Sequence, residues 1–217
     1  MAAAVAAGEG LVGADGAKWV QRDLYGGAIT ISLPKRFVDI STFRQVPDNQ
    51  EVFSDVDTEQ SVIIDLLEME RKAPNDAACN FHFDSIAHDN EAVEHSIEQT
   101  FASEDLNPHY NGTRSTCFGI QKVAKFNELE KLGEEACNLT RIYVAVFRLT
   151  DVATDLVVSF NSPVEISTLS SSAKTADVDA VEEKADPLLA NEDFTKMVDS
   201  LKVVDFGLFN TDDEETK

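Results

Sequence analysis

Two acids inside an apolar run are the first residues in this chain that could do chemistry. The run Ser61 to Met69, SVIIDLLEM, is the longest mainly apolar stretch of the first half, and it carries Asp65 and Glu68. A carboxylate in the middle of a core element costs free energy unless it meets water, a donor or a partner. If the run is a helix, the i,i+3 spacing puts both acids on one face. If it is a strand, they point to opposite faces unless a bulge intervenes. The Val62-Ile63-Ile64 start favours the strand. Ile63, Asp65, Leu67 and Met69 then share one side, and Val62, Ile64, Leu66 and Glu68 the other. Such a pair could serve acid–base catalysis, but nothing else in the sequence supplies a pocket for it. An acidic docking site near a sheet edge or end fits better. The blandest view, with both acids at the wet margins of the strand, wins on spacing alone.

Other reactive side chains are scattered. His82 and His88 are six residues apart and share no helix face, and His95 and His109 stand alone, so a metal site from histidines is disfavoured. Surface or partly packed histidines are expected. Cys79, Cys117 and Cys137 are odd in number and lack CxxC spacing, which argues against a disulfide framework or a zinc site and for reduced thiols in the cytosol or nucleus. There is no GxSxG, no P-loop and no GxGxxG. Two sequons, at Asn111 and Asn138, would go unused in a cytosolic chain. No catalytic constellation, cofactor or metal is expected.

The charge balance points to partners. Acids outnumber bases 40 to 18, a formal charge of −22 over 217 residues. Phosphate repels such a chain, so nucleic acid and anionic membranes are poor partners and a basic protein surface is a better one. Acidity can also serve solubility alone. No run approaches the ~18 apolar residues of a membrane span. The Ala-rich start lacks a basic region and is broken by glycine, which argues against a signal peptide.

The elements that must position these residues read as follows. Residues 1–20 are Ala/Gly-rich and expected to be disordered, and 21–209 to form one domain. Tyr25-Gly26-Gly27 suits a turn with positive φ, leading into the alternating strand Ala28 to Leu33. Asp39 or Ser41 can cap one helical turn after Phe37. Val46-Pro47-Asp48-Asn49-Gln50 should be a rigid corner, because Pro47 fixes φ and Asp48 and Asn49 can bond their own backbone. Glu51-Val52-Phe53 is a short strand step. Pro74 to Asn90 predicts a helix with Ala78, Phe81, Ile86 and Ala87 as its apolar stripe. Ala92 to Phe101 predicts a strand, 104–114 a loop, and Cys117 to Phe126 a strand with Phe118, Ile120 and Val123 inward. Arg141 to Leu149 and Leu156 to Phe160 predict an antiparallel hairpin. The Ser/Ala/acid-rich 163–187 looks like a flexible, solvated insertion. Asn191 to Val203 predicts an amphipathic helix capped by Asn191, followed by an apolar tail to Phe209 and an acidic, disordered end at 210–217. The fold class is α+β with a mainly antiparallel sheet.

One set of segments is specific. Tyr25 to Thr30, Leu33-Pro34, Phe37 to Ser41, Arg44 to Phe53 and Gln60 to Glu68, in that order and spacing, closely resemble the Ran guanine nucleotide release factor family. Weaker resemblance continues through Phe81 to Asp84, the hairpin and the last helix. The resemblance implies a central antiparallel sheet with helices on both faces, similar to the extrinsic oxygen-evolving proteins of photosystem II. It implies binding to the GTPase Ran as a monomer, release of the bound guanine nucleotide, stabilisation of the nucleotide-free form and a part in nuclear import, in nucleus and cytoplasm. It implies an acidic binding surface that includes Asp65 and Glu68, with Asp39, Asp48, Asn49, Gln50 and Glu51 beside them. Two alternatives stay open: an adaptor of the same fold acting on another partner, such as a membrane channel in trafficking, and a small carboxylate-dependent enzyme.

Overall fold

The computed structural model describes residues 18–103, 112–125 and 127–209. Residues 1–17 of the expected disordered tail at 1–20, most of the 104–114 loop and the acidic end at 210–217 lie outside the described residues.

Among the described residues, ten strands and four α-helices follow one another. β1 (Trp19–Leu24) and β2 (Ile29–Pro34) form a hairpin, then come β3 (Val38–Asp39), β4 (Gln50–Ser54) and β5 (Ser61–Glu68). α1 (Ala78–Asp89) leads to β6 (Glu94–Ser103), β7 (Thr113–Val123), the short α2 (Glu128–Leu132), β8 (Asn138–Leu149) and β9 (Thr154–Glu165). α3 (Val178–Lys184), α4 (Pro187–Ser200) and β10 (Lys202–Val203) close the chain. The main sheet runs β3-β4-β5-β9-β8-β7-β6, antiparallel throughout, and a second sheet runs β1-β2-β10.

The large sheet has two unequal covers. On one face α1 lays Ala78, Cys79 and Phe83 over Cys117, Ile142, Val144, Val146 and Val157. On the other, β2 and α4 pack Ile29, Ile31, Phe194 and Met197 against Val62, Ile64, Tyr143, Val158 and Phe160. Period-2 alternation sorts the side chains between the two layers. The layering is α+β with helices on both faces, as expected.

Several local expectations change. The chain is already ordered at Trp19, whose ring lies 4.3 Å from the Lys196 ammonium on α4. The α1 stripe buries Cys79, His82 and Phe83, while Phe81 is 43% exposed. On β7 the tightly buried residues are Ser115, Cys117, Gly119 and Gln121, and Phe118 is only partly buried, against the opposite core. α4 starts at Pro187, capped by the Asp186 carboxylate accepting from the Leu188 amide, not by Asn191. Proline at a first turn gives up a donor that has no partner there anyway. The 163–187 segment carries a 3₁₀ turn at Ser171–Lys174 and α3, with Ser172 and Val181 buried. Glu59 holds it by accepting from Ser172 and Thr175.

At one margin of the sheet, β6 carries a bulge between Ile97 and Gln99. Here Gly119 admits close approach, because a β-carbon on it would lie 2.1 Å from the Ser96 carbonyl oxygen. At the other margin, β3 pairs over two residues only, and the chain then runs on beside β4 as the 40–49 loop.

Candidate functional site

Asp65 lies on β5, the third strand of the large sheet, opposite Gln50 of β4 and Val157 of β9. The strand geometry sends it to the α1 face, where α1 covers β7 and β8 but leaves part of β5 open. The result is a groove of about 380 Å³. Its floor includes Ile63, Asp65, Ser159 and Asn161, one wall is Pro47 and Asn49, and the other is Ser85, Ile86 and Asp89 of α1.

The polar corner is tightly held. The Gln50 amide stands over the acid, donating from Nε2 to Asp65 Oδ1 at 2.7 Å. Asn49 extends β4 by one rung: its carbonyl accepts from the Leu66 amide at 2.9 Å, and its Nδ2 donates to the Leu66 carbonyl at 3.2 Å. The Gln50 amide closes on the Pro47 carbonyl at 3.0 Å, so the 46–50 segment is the expected tight corner. The Tyr25 hydroxyl donates to the Ile64 carbonyl at 2.8 Å and reaches the Asn49 carbonyl at 3.1 Å. Burial, with Asp65 and Glu51 nearby, pushes that phenol well above its usual range.

Burial also pushes the Asp65 carboxyl up, against the Gln50 hydrogen bond and the nearby His82. No lysine or arginine among the described residues forms an ion pair with it. A raised carboxyl means that its charge costs stability. The penalty is absent below the unfolded-state value of 3.8 and complete above the raised folded-state one. Asp65→Asn keeps an acceptor for Gln50 Nε2 and removes the buried charge. It is expected to leave the urea midpoint at pH 7 no lower than that of the unmodified chain.

The seven expected binding residues do not form one patch. Asp65, Asn49 and Gln50 meet at the groove, and exposed Asp48 stands beside them on the corner. Glu68, also exposed, is on the opposite face of β5, ~10 Å further along. Glu51 turns to that opposite face too and accepts from the Tyr25 amide at 2.8 Å. This bond holds the Tyr25–Gly27 turn, in which Gly26 and Gly27 have φ of 68° and 97°. The Asp39 carboxylate caps the Ile40–Thr42 turn through the Ser41 amide at 2.8 Å, as expected. A partner that meets both Asp65 and Glu68 has to straddle the end of the sheet where the 46–50 corner stands.

His82 also lines the groove, and here the histidine expectation changes. It is 4% exposed, with Nε2 3.0 Å from Asp155 Oδ2. Asp155 is in turn clasped by Arg148. The signal was legible: one charge inside each of the apolar hairpin strands, Arg148 and Asp155, faces the other across the hairpin. Among the described residues, no group of three or more His, Cys, Asp or Glu side chains gathers to hold a metal, and the three cysteines are free thiols. No helix among the described residues is long and apolar enough to cross a membrane.

Comparison with known proteins adds the following. Residues 22–163 match the family described as Ran-interacting Mog1 protein. The chain is 35% identical to the Ran guanine nucleotide release factor of Danio rerio, over 88% of this chain and all of that one. It is 36% identical to the nuclear import protein mog1 of Schizosaccharomyces pombe, over 64% of this chain and 75% of that one. The crystal structure of the Ran-binding protein Mog1p of Saccharomyces cerevisiae superposes with a TM-score of 0.64 at 28% identity, covering 88% of this chain and 98% of that one. The solution structure of PsbP from Synechocystis shares the fold, with a TM-score of 0.53 at 12% identity over 91% of this chain and 98% of that one.

Proposed function

The chain belongs to the Mog1 family of Ran-interacting proteins, and from that premise we propose that it binds the GTPase Ran, promotes release of its guanine nucleotide and stabilises the empty form. Its work would lie in nuclear protein import, between nucleus and cytoplasm. The names of its relatives support this reading. The observation that carries the site is Asp65, a half-buried acid on an open groove with no lysine or arginine ion pair among the described residues. A basic side chain of the GTPase, entering beside Gln50, would supply the missing countercharge.

Release then follows from linkage. A protein that prefers the empty GTPase lowers nucleotide affinity by the same factor by which nucleotide lowers its own binding. No side chain of this chain needs to touch the phosphates.

The test is fluorescence loss from Ran loaded with a labelled guanine nucleotide, with and without this chain. Faster loss is expected. Asp65→Ala is expected to weaken complex formation by about 2–5 kcal/mol, the cost of breaking a desolvated charge pair, and Glu68→Ala by far less, at a wet rim. Faster release that survives Asp65→Ala in a folded variant removes the acid from the interface. No release and no complex with the unmodified chain defeats the functional reading.

A further inference from the structure

The loop at 41–49 is exposed at every residue but Val46, and it contributes nothing to either core. It is nonetheless tied at both ends. Asp39 Oδ1 accepts from the Ser41 amide and the Asp39 carbonyl from the Thr42 hydroxyl. The Ile40 carbonyl accepts from the amides of Phe43 and Arg44, and Asn49 bonds Leu66. Chain order fixes its course: β3 runs antiparallel to β4, and the loop continues past β4 before the 46–50 corner turns back into it. Phe43 falls between Asp39 and Asp48 in the chain, on the loop that joins the edge strand β3 to β4, and it is 76% exposed.

A single exposed apolar side chain is ordinary. A phenyl ring next to Arg44, with Asp39 and Asp48 further along the same exposed loop, on the segment that leads into the Pro47 and Asn49 wall of the groove, is a less ordinary arrangement. Val38, 45% exposed, lies on the edge strand β3 that leads into this loop. Loops fixed before binding lose little entropy on association. Aromatic anchors with a polar rim carry most of the energy in protein interfaces.

We propose that Phe43 is the apolar anchor of the GTPase interface, entering an apolar pocket on Ran that is ringed by basic side chains. The basic ring is inferred from charge complementarity with Asp39, Asp48 and a chain of net charge −22. This rests on the Ran reading above, and it adds a contact which that reading does not require.

The experiment measures association and dissociation rates with nucleotide-free Ran at two salt concentrations, for the unmodified chain, Phe43→Ala, Phe43→Leu and Asp65→Ala. Phe43→Ala is expected to weaken affinity at least about tenfold, through faster dissociation and with the salt dependence unchanged. Phe43→Leu, which keeps apolar bulk, should recover most of the loss. Thermal midpoints should match, because the ring buries little surface in the free chain. Binding by Phe43→Ala within twofold of the unmodified chain overturns the anchor while leaving the Ran reading intact. Equal losses in the Ala and Leu variants also overturn it, as does weakening that tracks a lowered thermal midpoint. If the unmodified chain makes no complex with Ran, the functional reading fails and the anchor fails with it.

Discussion

Arg148→Ala and Asp155→Ala are each expected to destabilise the fold by about 3–5 kcal/mol, read as a fall in the urea midpoint. Arg148 is 1% exposed and Asp155 is fully buried. The guanidinium donates from Nε and Nη2 to the two Asp155 oxygens, both at 2.9 Å. Its remaining donors go to the Glu70 carbonyl at 2.9 Å, the Ala73 carbonyl at 2.7 Å and Asn75 Oδ1 at 3.1 Å. The Glu70 amide closes the ring by donating to Asp155 Oδ2 at 3.2 Å. Removing either ion leaves the other charged, buried and short of partners, which costs more than the pair contributes. Replacing both, as Arg148→Met with Asp155→Leu, should cost less than either single change.

Acid should act on the same cluster. Burial opposes ionisation of Asp155, but the hydrogen bonds from Arg148 and His82 outweigh it and hold the carboxyl down to about 2. A depressed carboxyl contributes stability that is complete above its unfolded value of 3.8 and is lost as pH falls through about 2. An acid titration followed by circular dichroism should therefore show the unmodified chain losing stability in that window, and Asp155→Asn losing less there. The cluster ties the β8–β9 hairpin to the 70–75 segment that leads into α1, one wall of the groove. Its loss should loosen that wall as well.

Tyr143→Ala is expected to cost about 3–5 kcal/mol, the range for truncating a large buried aromatic. The ring sits at the centre of an aromatic group, 5.7 Å from Phe160, 5.6 Å from Phe118 and 5.3 Å from Phe194. It thus joins β7, β8, β9 and α4. Tyr143→Phe should cost little, because the hydroxyl reaches only the Pro187 carbonyl at 3.3 Å. Comparing the two by urea unfolding separates ring packing from the hydroxyl. The groove of Asp65 is on the opposite face of the sheet, so the folded fraction of Tyr143→Ala should bind the GTPase as the unmodified chain does.

The strongly patterned elements were legible in the sequence. The hairpin of β8 and β9, the strand β5, the corner at Pro47 and the Asp39 cap all follow from periodicity and turn chemistry. The buried face of β7 was not, because its inward residues are Ser115, Cys117, Gly119 and Gln121, while Phe118 faces the other way. There the neighbouring strands decide which side is deep, and hydropathy misleads. The start of α4 was missed because Pro187 reads as a breaker until Asp186 is seen to cap it. β1 was hidden by its polar residues Gln21, Arg22 and Asp23. Of the candidate site, the type and place of Asp65 were legible, as was its separation from Glu68 on a strand. That Glu51 spends its carboxylate on the Tyr25 backbone amide was not, since this bond depends on the turn at Tyr25.

The two margins of the seven-stranded sheet bear on behaviour at high concentration. An open sheet edge is a template for another chain, and long straight edges lead to aggregation. At one margin β6 is ten residues long but broken by its bulge, with Glu98 in the bulge and Glu94 at the start of the strand. At the other, β3 offers two residues before the 40–49 loop takes over. Among the described residues, neither margin presents a long uninterrupted edge strand. The loop that carries Phe43 follows β3 past the edge of β4, and shortening it is expected to leave β4 more open to copies of the same protein.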